Sequence, residues 1–575
     1  MFARTAPCRR GWRGDILQYM RHFPACSRPT SSYNYVGVRG LCVSGRSRSM
    51  LAALCTTAIL AVADNNNTHS VECSTPTACK LVRGRSSTAV SWGRFEDSIA
   101  TTGAARLWVE TSPSSTSASA AFAAGYLEGA LTAERIYQQY YNFVHAKGVV
   151  HPSANLTRWL DENGAWLTRE IAAAKPDDAY WCAISWQRTQ LAGLTAGYNS
   201  AGGTPPLTAR QLEIVNLQGD ISDLLSATEP SRRPPVQTMS REEAARYTLT
   251  STHCSALVKL LPDFSELYVG HNMWWGYYTM LAVIKSYRFP GQPGMPNEAI
   301  LMTSYPGLLS STDDFYLVTG PRTQLVVLET TNPSYNASAF DLVTPRSVLY
   351  WQRVMAANYL ATSGAEWMEL AGRHNSGTYN NMWMVVDYSR FTPGQPLVEG
   401  TLWVGEQAPG WWHATDQTTT LAYGYFPSYN KALYPGTRAR VGQDAMVRKF
   451  GNDYSYSLTA RAKVFRRDHP SVTSEARMQR ILRYNRYQTD PFANHSACNQ
   501  LACRGDLLSM PLADGAINAK FTSSERLSRR QMLFVAGPTS DDQPVFQWSA
   551  APAAVRAMPH LGQPDRWAFE WDVYS

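Results

Sequence analysis

The order of segments along the chain predicts an α+β fold in which β-sheet layers are covered by helices. Short apolar runs bounded by turn residues, such as DDFYLVTG, QLVVLETTN and NNMWMVVDY, read as strands. Segments with apolar residues at helical spacing form separate runs. With 575 residues, 44% hydrophobic and 11% aromatic, the chain can bury a large core.

The first elements are two β-like stretches in TAVSWGRFEDSIATTGAARLWVETS, joined by a Thr/Gly turn. AAFAAGYLEGALTAERIYQQYYNFV places Tyr126, Ala130, Ala133, Tyr137, Tyr140 and Val144 on one stripe, which predicts one long amphipathic helix with the stripe in the core. NGAWLTREIAAA and YWCAISWQRTQLAG read as further helices. Between 200 and 253 the chain becomes rich in Gly, Pro, Ser and charge, and residues 230–253 read as an exposed linker ending at Cys254. CSALVKL, LPDFS and ELYVGHNMW then form strand, turn and strand, and WWGYYTMLAVIKSYRF reads as an amphipathic helix with Trp274, Tyr278, Leu281 and Ile284 along one side. With 261–265 as the hairpin loop, Leu260 faces Glu266, Cys254 lies opposite Asn272 and His271 is adjacent; a slip of one puts Cys254 opposite His271 itself. EAILMTSYPGLLSS, DDFYLVTG and QLVVLETTN follow as strands, SVLYWQRVMAANYLATSGAEWMELAG as helices, and NNMWMVVDY and GTLWVGEQAPG as strands again.

The formal charge of +8 belongs to the leader, because residues 1–49 hold nine Arg and one acid, Asp15. The remainder carries equal numbers of basic and acidic residues, so it offers no electrostatic footprint for nucleic acid. Within RGRSRSMLAALCTTAILAVADNNN the basic start, the apolar run from Met50 to Ala63 and the small residues Ala61, Val62 and Ala63 have the layout of a secretory signal. Residues 1–63 are therefore expected to be a basic leader plus signal, with the functional start at Met50 and no stable membrane span after signal removal. Sequons at Asn66, Asn155, Asn336 and Asn494 fit a glycosylated secretory protein. Cys73 with Cys79 and Cys498 with Cys503 are close enough in sequence to close small disulfide loops, which leaves Cys182 and Cys254 without a near partner. No C-x-x-C or H-E-x-x-H spacing supports a metal site, and no cofactor motif is present.

Serine hydrolase chemistry has no G-x-S-x-G elbow to stand on. GDIS at 219–222 lies in a helix-like stretch, outside the context that such a block needs. Cys254 is different: it follows the linker, opens a strand and faces a strand carrying His271 and Asn272. Cutting the His253–Cys254 bond would give Cys254 an α-amine, with a free-chain pKa of about 7.7 to 8.0. Such an amine can take the thiol proton, so one residue supplies both nucleophile and base.

HCSALVK, ELYVGHNMWW and IKSY resemble the phospholipase B-like family, lysosomal or secreted proteins of the N-terminal nucleophile hydrolase superfamily. The similarity continues through LEGALTAERIYQQYYN, LETTN, GTLWVGEQAPG, FPSYN, RAKVFRRD, MQRILRYNRYQTDP, DGAINAKFTS and PVFQWS, over roughly residues 88–575. This resemblance implies a four-layer αββα sandwich and a precursor that cuts itself before the nucleophile. Residues 64–229 and 254–575 would then form one composite hydrolase domain separated by the processing linker. The resemblance also implies the roles: Cys254 as nucleophile, His271 and Trp274 shaping the pocket, Asn332 as oxyanion donor, and Asn430 and Arg461 completing a polar wall.

The expected activity is hydrolysis of fatty-acyl esters of phospholipids through a thioester, in a lysosome-like compartment or outside the cell. An amidase acting on N-acyl lipids or peptides is the alternative within the same chemistry. A non-catalytic luminal binding glycoprotein is the alternative from another class.

Overall fold

The computed structural model describes residues 67–202, 205–251 and 254–575. The leader and signal of residues 1–63, the sequon at Asn66 and His253 lie outside them. Helices of eight residues or more are numbered below.

The first strands are β1 (His69–Thr75), β2 (Ala78–Arg83), β3 (Ser91–Glu96) and β4 (Ala104–Thr111). The segment expected as a Thr/Gly turn between β3 and β4 contains a one-turn helix, Ile99–Thr102, closed by Gly103 at φ 82°. Helices α1 (Ser117–Leu131), α2 (Ala133–Lys147), α3 (Ala154–Ala173) and α4 (Ala179–Ser200) come next, then α5 (Ala209–Asn216) and α6 (Ile221–Thr228).

The single long helix expected at 121–144 is thus two. Thr132 leaves helical geometry at φ −116°, ψ 18°, and its hydroxyl donates to the Glu128 carbonyl oxygen at 2.7 Å. The break lets α1 pack flat against α4. Gly125 and Gly129 of α1 face the backbone of Gln190, Leu194 and Tyr198 in α4, Gly193 and Gly197 of α4 face that of Phe122 and Tyr126 in α1, and a Cβ at Gly125 would stand 1.9 Å from the Gln190 carbonyl oxygen. The two backbones touch, which only glycine permits.

Residues 230–253 contain a further helix, α7 (Arg241–Ser251), most of whose side chains are exposed. Its Ala244 is buried in a small cluster with Tyr335, Met446, Phe450 and Tyr454.

The central strands are β5 (Ser255–Leu260), β6 (Leu267–Gly276), β7 (Ala282–Arg288), β8 (Ala299–Ser304), β9 (Phe315–Gly320) and β10 (Thr323–Thr331). The amphipathic helix expected at 274–289 is replaced by the end of β6, a short 3-10 turn and β7. Nearly every position of these strands is buried whichever face it is on, polar His271, Asn272 and Lys285 included, so the two-residue alternation that marks a strand is erased.

After α8 (Tyr350–Leu360) and α9 (Gly364–Gly372) come β11 (Asn381–Asp387), β12 (Leu402–Ala408), β13 (Trp411–Asp416) and β14 (Tyr425–Ser428). Helices α10 (Gln443–Phe450), α11 (Ala460–Asp468) and α12 (Glu475–Leu482) precede β15 (Asp514–Thr522) and β16 (Met532–Ala536). The chain ends with β17 (Phe546–Gln547), β18 (Arg566–Trp567) and β19 (Asp572–Tyr574).

Eleven strands form one sheet in the order β13-β12-β11-β10-β9-β8-β7-β4-β3-β1-β2, and six form a second in the order β14-β5-β6-β15-β16-β19. β4 pairs with β7 in parallel, so segments on either side of the linker share the large sheet. Helix α1 packs on β1, β3 and β4 of the large sheet, α12 packs on β6 and β15 of the small one, and β5 touches β10 between the sheets. The protein is an α+β fold with helices over large sheets. Among the described residues no helix is long and apolar enough to cross a membrane.

The β5–β6 hairpin register differs from the expected one by a residue: Leu260 pairs with Leu267 and Ser255 with Asn272. Cys254 therefore meets Met273, Sγ to Sδ 3.3 Å, instead of Asn272 or His271. The extra residue goes into the loop, where Leu261 N donates to the Glu266 carbonyl oxygen at 3.0 Å. Cys73–Cys79 and Cys498–Cys503 are disulfides, and Cys182 is disulfide-bonded as well. Among the described residues Cys254 is the free thiol, and it is buried.

Candidate active site

Four chain segments converge where β5 begins. Cys254 stands just before β5 at φ 93°, a backbone conformation that L residues other than glycine rarely adopt. The end of β10 crosses it from the other sheet, bringing Glu329, Thr331 and Asn332. The turn after β14 supplies Asn430, itself left-handed at φ 63°, and the first turn of α11 supplies Arg461.

Arg461 ties these segments together. One terminal nitrogen donates to the Cys254 carbonyl oxygen at 2.7 Å and to Ser255 Oγ at 3.1 Å, and the other donates to Asn430 Oδ1 at 2.7 Å. Its guanidinium lies over the Trp274 ring at 4.1 Å, and the Trp274 indole donates to the Leu501 carbonyl oxygen at 3.1 Å. Asn430 Nδ2 in turn donates to the Thr331 carbonyl oxygen at 2.8 Å. Burial lowers the Arg461 pKa to about 9.

On the inner side, Cys254 Sγ lies 3.7 Å from Glu329 Oε1, and one ring nitrogen of His271 completes a group whose atoms are all within 4.8 Å of one another. Neither His271 nitrogen makes a hydrogen bond of normal geometry, although the ring is fully buried; Nδ1 is 4.0 Å from Asp313 Oδ1. Burial, reinforced by the Lys520 ammonium, pushes the His271 pKa well down, so the imidazole is neutral with an available lone pair. Burial, and then the Glu329 carboxyl, pushes the Cys254 thiol well up. Glu329 is itself pushed up by burial and by Asp314, and accepts from Tyr379 Oη at 3.2 Å. Lys520 pairs with Asp313, whose other oxygen accepts from Asn518 Nδ2 at 2.8 Å.

Cys254, His271 and Glu329 could together hold a metal ion by distance. The Lys520 ammonium, which already opposes a charged His271, would oppose a further cation there.

Asn332 is buried beside the Glu406 carboxyl, yet neither of its amide atoms completes a hydrogen bond of normal geometry. The amide is near enough to Glu406 to hold its carboxylate form, a weak bond to a buried acid. Of the residues expected from the sequence, Cys254, His271, Trp274, Asn430 and Arg461 therefore surround the start of β5, and Asn332 follows Thr331, whose carbonyl oxygen Asn430 holds, with its side chain by Glu406. Sequence reasoning missed Glu329, Met273 and Lys431. The signal for Glu329 was a charged residue inside the otherwise apolar strand QLVVLETT, which needs a polar partner when both faces are covered.

The thiol has no exposed surface. On the far side of Trp274 and Arg461 lies a cavity of about 380 Å³, also lined by Lys431, Tyr429, Tyr454, Leu508 and Met510, with α7 residues including Arg246 and Leu249 forming one wall. Of the remaining sequons, Asn155 and Asn494 are exposed and Asn336 is half-buried.

The site is thus a strained and buried free thiol bracketed by an imidazole, a carboxyl and a guanidinium, and the chain that carries it is similar to known proteins. The phospholipase B family model matches residues 91–574. Phospholipase B-like protein B of Dictyostelium discoideum is 36% identical over 515 residues, covering 88% of each chain. Phospholipase B-like 1 of Bos taurus is 34% identical over 491 residues, covering 84% of this chain and 87% of its own. Putative phospholipase B-like 1 of Caenorhabditis elegans is 36% identical over 510 residues. The chain belongs to the phospholipase B-like family.

Proposed function

We propose that this protein is a self-processing cysteine-nucleophile acyl hydrolase that cleaves fatty-acyl esters of phospholipids. The observation that carries the reading is the setting of Cys254: a free, buried thiol at φ 93° whose carbonyl oxygen is held by Arg461 and whose sulfur lies beside His271 and Glu329. Helices outside each of two sheets that touch through β5 and β10 support the αββα layering of N-terminal nucleophile hydrolases.

In the uncut chain Cys254 has no α-amine, so another group must take the thiol proton. His271, neutral and with no hydrogen bond of normal geometry, its nearest backbone partner being Glu329, is suited to do so. The sulfur attacks the carbonyl carbon of residue 253, the 253–254 C–N bond breaks, and the proton passes from His271 to the departing amine. Water hydrolyses the resulting thioester, leaving a carboxylate at 253 and a free thiol at Cys254. Cutting also releases the backbone strain at Cys254, of order 1–3 kcal/mol.

In turnover the new α-amine takes the thiol proton, the sulfur attacks the substrate ester carbonyl, and the amine returns the proton to the leaving alcohol. Asn332 steadies the oxyanion, a contribution of about 2.7 to 4 kcal/mol for a well-aimed donor. Water then releases the fatty acid. The disulfides and the exposed Asn155 and Asn494 sequons support a secretory-pathway location, lysosome-like or extracellular.

The test is intact-mass analysis of the mature protein, with fatty-acid release measured from a glycerophospholipid and from an N-acyl amide. Two fragments with Cys254 heading the larger, an intact Cys254→Ala chain and preferential ester release are expected. An active protein with an unbroken backbone across 253–254 would refute the maturation. Preferential amide release would make it an amidase, and no turnover of either by the processed protein would leave a binding glycoprotein.

A further inference from the structure

The cavity beside Trp274 contains two buried cations that no carboxylate neutralises. Arg461 spends its hydrogen bonds on a carbonyl, a hydroxyl and an amide, all neutral. Lys431 is 4% exposed, and its Nζ makes one hydrogen bond, to the Asn430 carbonyl oxygen at 3.2 Å. Its remaining donors have no acceptor among the described residues. The nearest acid at the mouth, Asp453, is exposed and paired with Arg241 at 3.1 Å.

Burying a cation without an anion costs stability, and burying two side by side costs more because each repels the other. Burial, and then Arg461, lowers the Lys431 pKa to about 7. A hydrocarbon side chain at 431 would remove that cost; among the described residues the ammonium's only other partners are the Tyr454 ring, 5.7 Å from Nζ to its centroid, and the distant pull of the exposed Asp453, neither of which replaces a contacting anion. A ligand that brings the missing charge accounts for the pair. The cavity mouth also carries apolar side chains, including Met510 at 60% exposure, so the ligand has a hydrocarbon part as well as an anionic one.

We propose that Lys431, with Arg461, forms an anion subsite that takes the phosphodiester of a lipid headgroup while the acyl chain lies toward Leu508 and Met510. This rests on the reading that the cavity beyond Trp274 and Arg461 receives the substrate of Cys254. A lysine serves here as a point charge for phosphate oxygens, and the guanidinium over Trp274 is held in place for a second contact. The other charged and titratable groups facing Lys431 are Asp453, Tyr454 and Tyr429 from the α10–α11 and β14 sides and Arg241, Glu242 and Arg246 from α7.

The processed wild-type protein and its Lys431→Met and Lys431→Arg variants are titrated calorimetrically at pH 5.5 with glycerophosphocholine, inorganic phosphate and octanoate. Wild type should bind glycerophosphocholine, Lys431→Met should bind it at least tenfold more weakly, and Lys431→Arg should recover most of the loss. In parallel, the ratio of kcat/KM for phosphatidylcholine to that for a neutral acylglycerol should fall about tenfold in Lys431→Met. Inorganic phosphate binding as tightly as glycerophosphocholine would mean a site for free phosphate, and octanoate displacing both would mean a carboxylate site; either overturns the headgroup assignment. Equal binding by wild type and Lys431→Met overturns the subsite. Ligand binding by a protein that hydrolyses no ester would sink the enzymatic reading and leave the subsite standing.

Discussion

Arg461 donates to the carbonyl oxygen of Cys254 at 2.7 Å, so the residue that carries the nucleophile is held by a guanidinium from α11, more than 200 positions away in the chain. The same group also reaches Ser255 and Asn430, a planar fork that an ammonium cannot reproduce. Arg461→Lys should slow self-cleavage at least 100-fold, read as the fraction of uncut chain on a denaturing gel after timed incubation. Cleavage at the wild-type rate would mean that Arg461 only packs against Trp274.

His271 should matter most before the cut, when no α-amine exists. His271→Phe keeps a buried ring of similar size but removes the proton acceptor, so the half-time of processing should lengthen at least tenfold. The melting temperature separates this from a folding defect, because a phenyl ring removes two buried nitrogens that make no hydrogen bond of normal geometry and should not lower it.

The contact between α1 and α4 gives a stability prediction far from the site. A methyl group at Gly125 would collide with the backbone of Gln190, and one at Gly193 with the backbone of Phe122 at 2.0 Å. Gly125→Ala and Gly193→Ala should each destabilise by about 1–3 kcal/mol, read as a lower urea midpoint with unchanged slope.

Acid should stabilise this fold. Burial raises Asp220, Asp223, Asp514 and Glu406 to about 7, against about 4 in an unfolded chain. Between those values the native state holds protons that the unfolded chain has lost. Their contribution is therefore fully present below about pH 4 and is lost as pH rises through 7. Three histidines lowered by burial, His271, His374 and His469, the last to about 4, act in the opposite direction below about 6.5, but they stand against these four carboxyls and the further buried carboxyls Asp313, Asp314 and Glu329, which burial also raises. Thermal melts from pH 4.5 to 8 should give a midpoint a few degrees higher at pH 5 than at pH 7.5. Asp220→Asn should flatten part of that slope, and a midpoint that rises steadily with pH would count against it.

Much of this was legible in the residues themselves. The strands around DDFYLVTG and QLVVLETTN, the helical character of 163–174, 180–193 and 350–372, and Cys254 at the head of a strand all follow from local pattern, because side-chain period and turn chemistry are short-range properties. Family blocks quoted from the sequence located Asn332, Asn430 and Arg461, which spacing alone could not connect. Local pattern failed at 274–289, where burial on both faces removed the alternation, and at 131–133, where one threonine side chain ended a helix that the apolar stripe would have continued.

By itself, then, the sequence determined an α+β protein of the phospholipase B-like family with a candidate cysteine nucleophile at 254. Tertiary structure alone decided what surrounds that sulfur: Met273 in place of Asn272 across the hairpin, Glu329 from the opposite sheet, and Lys431 beside Arg461 with no acid to answer it. The reason is physical. Which groups share a desolvated space depends on register and sheet stacking, and both are set by the packing of elements hundreds of residues apart.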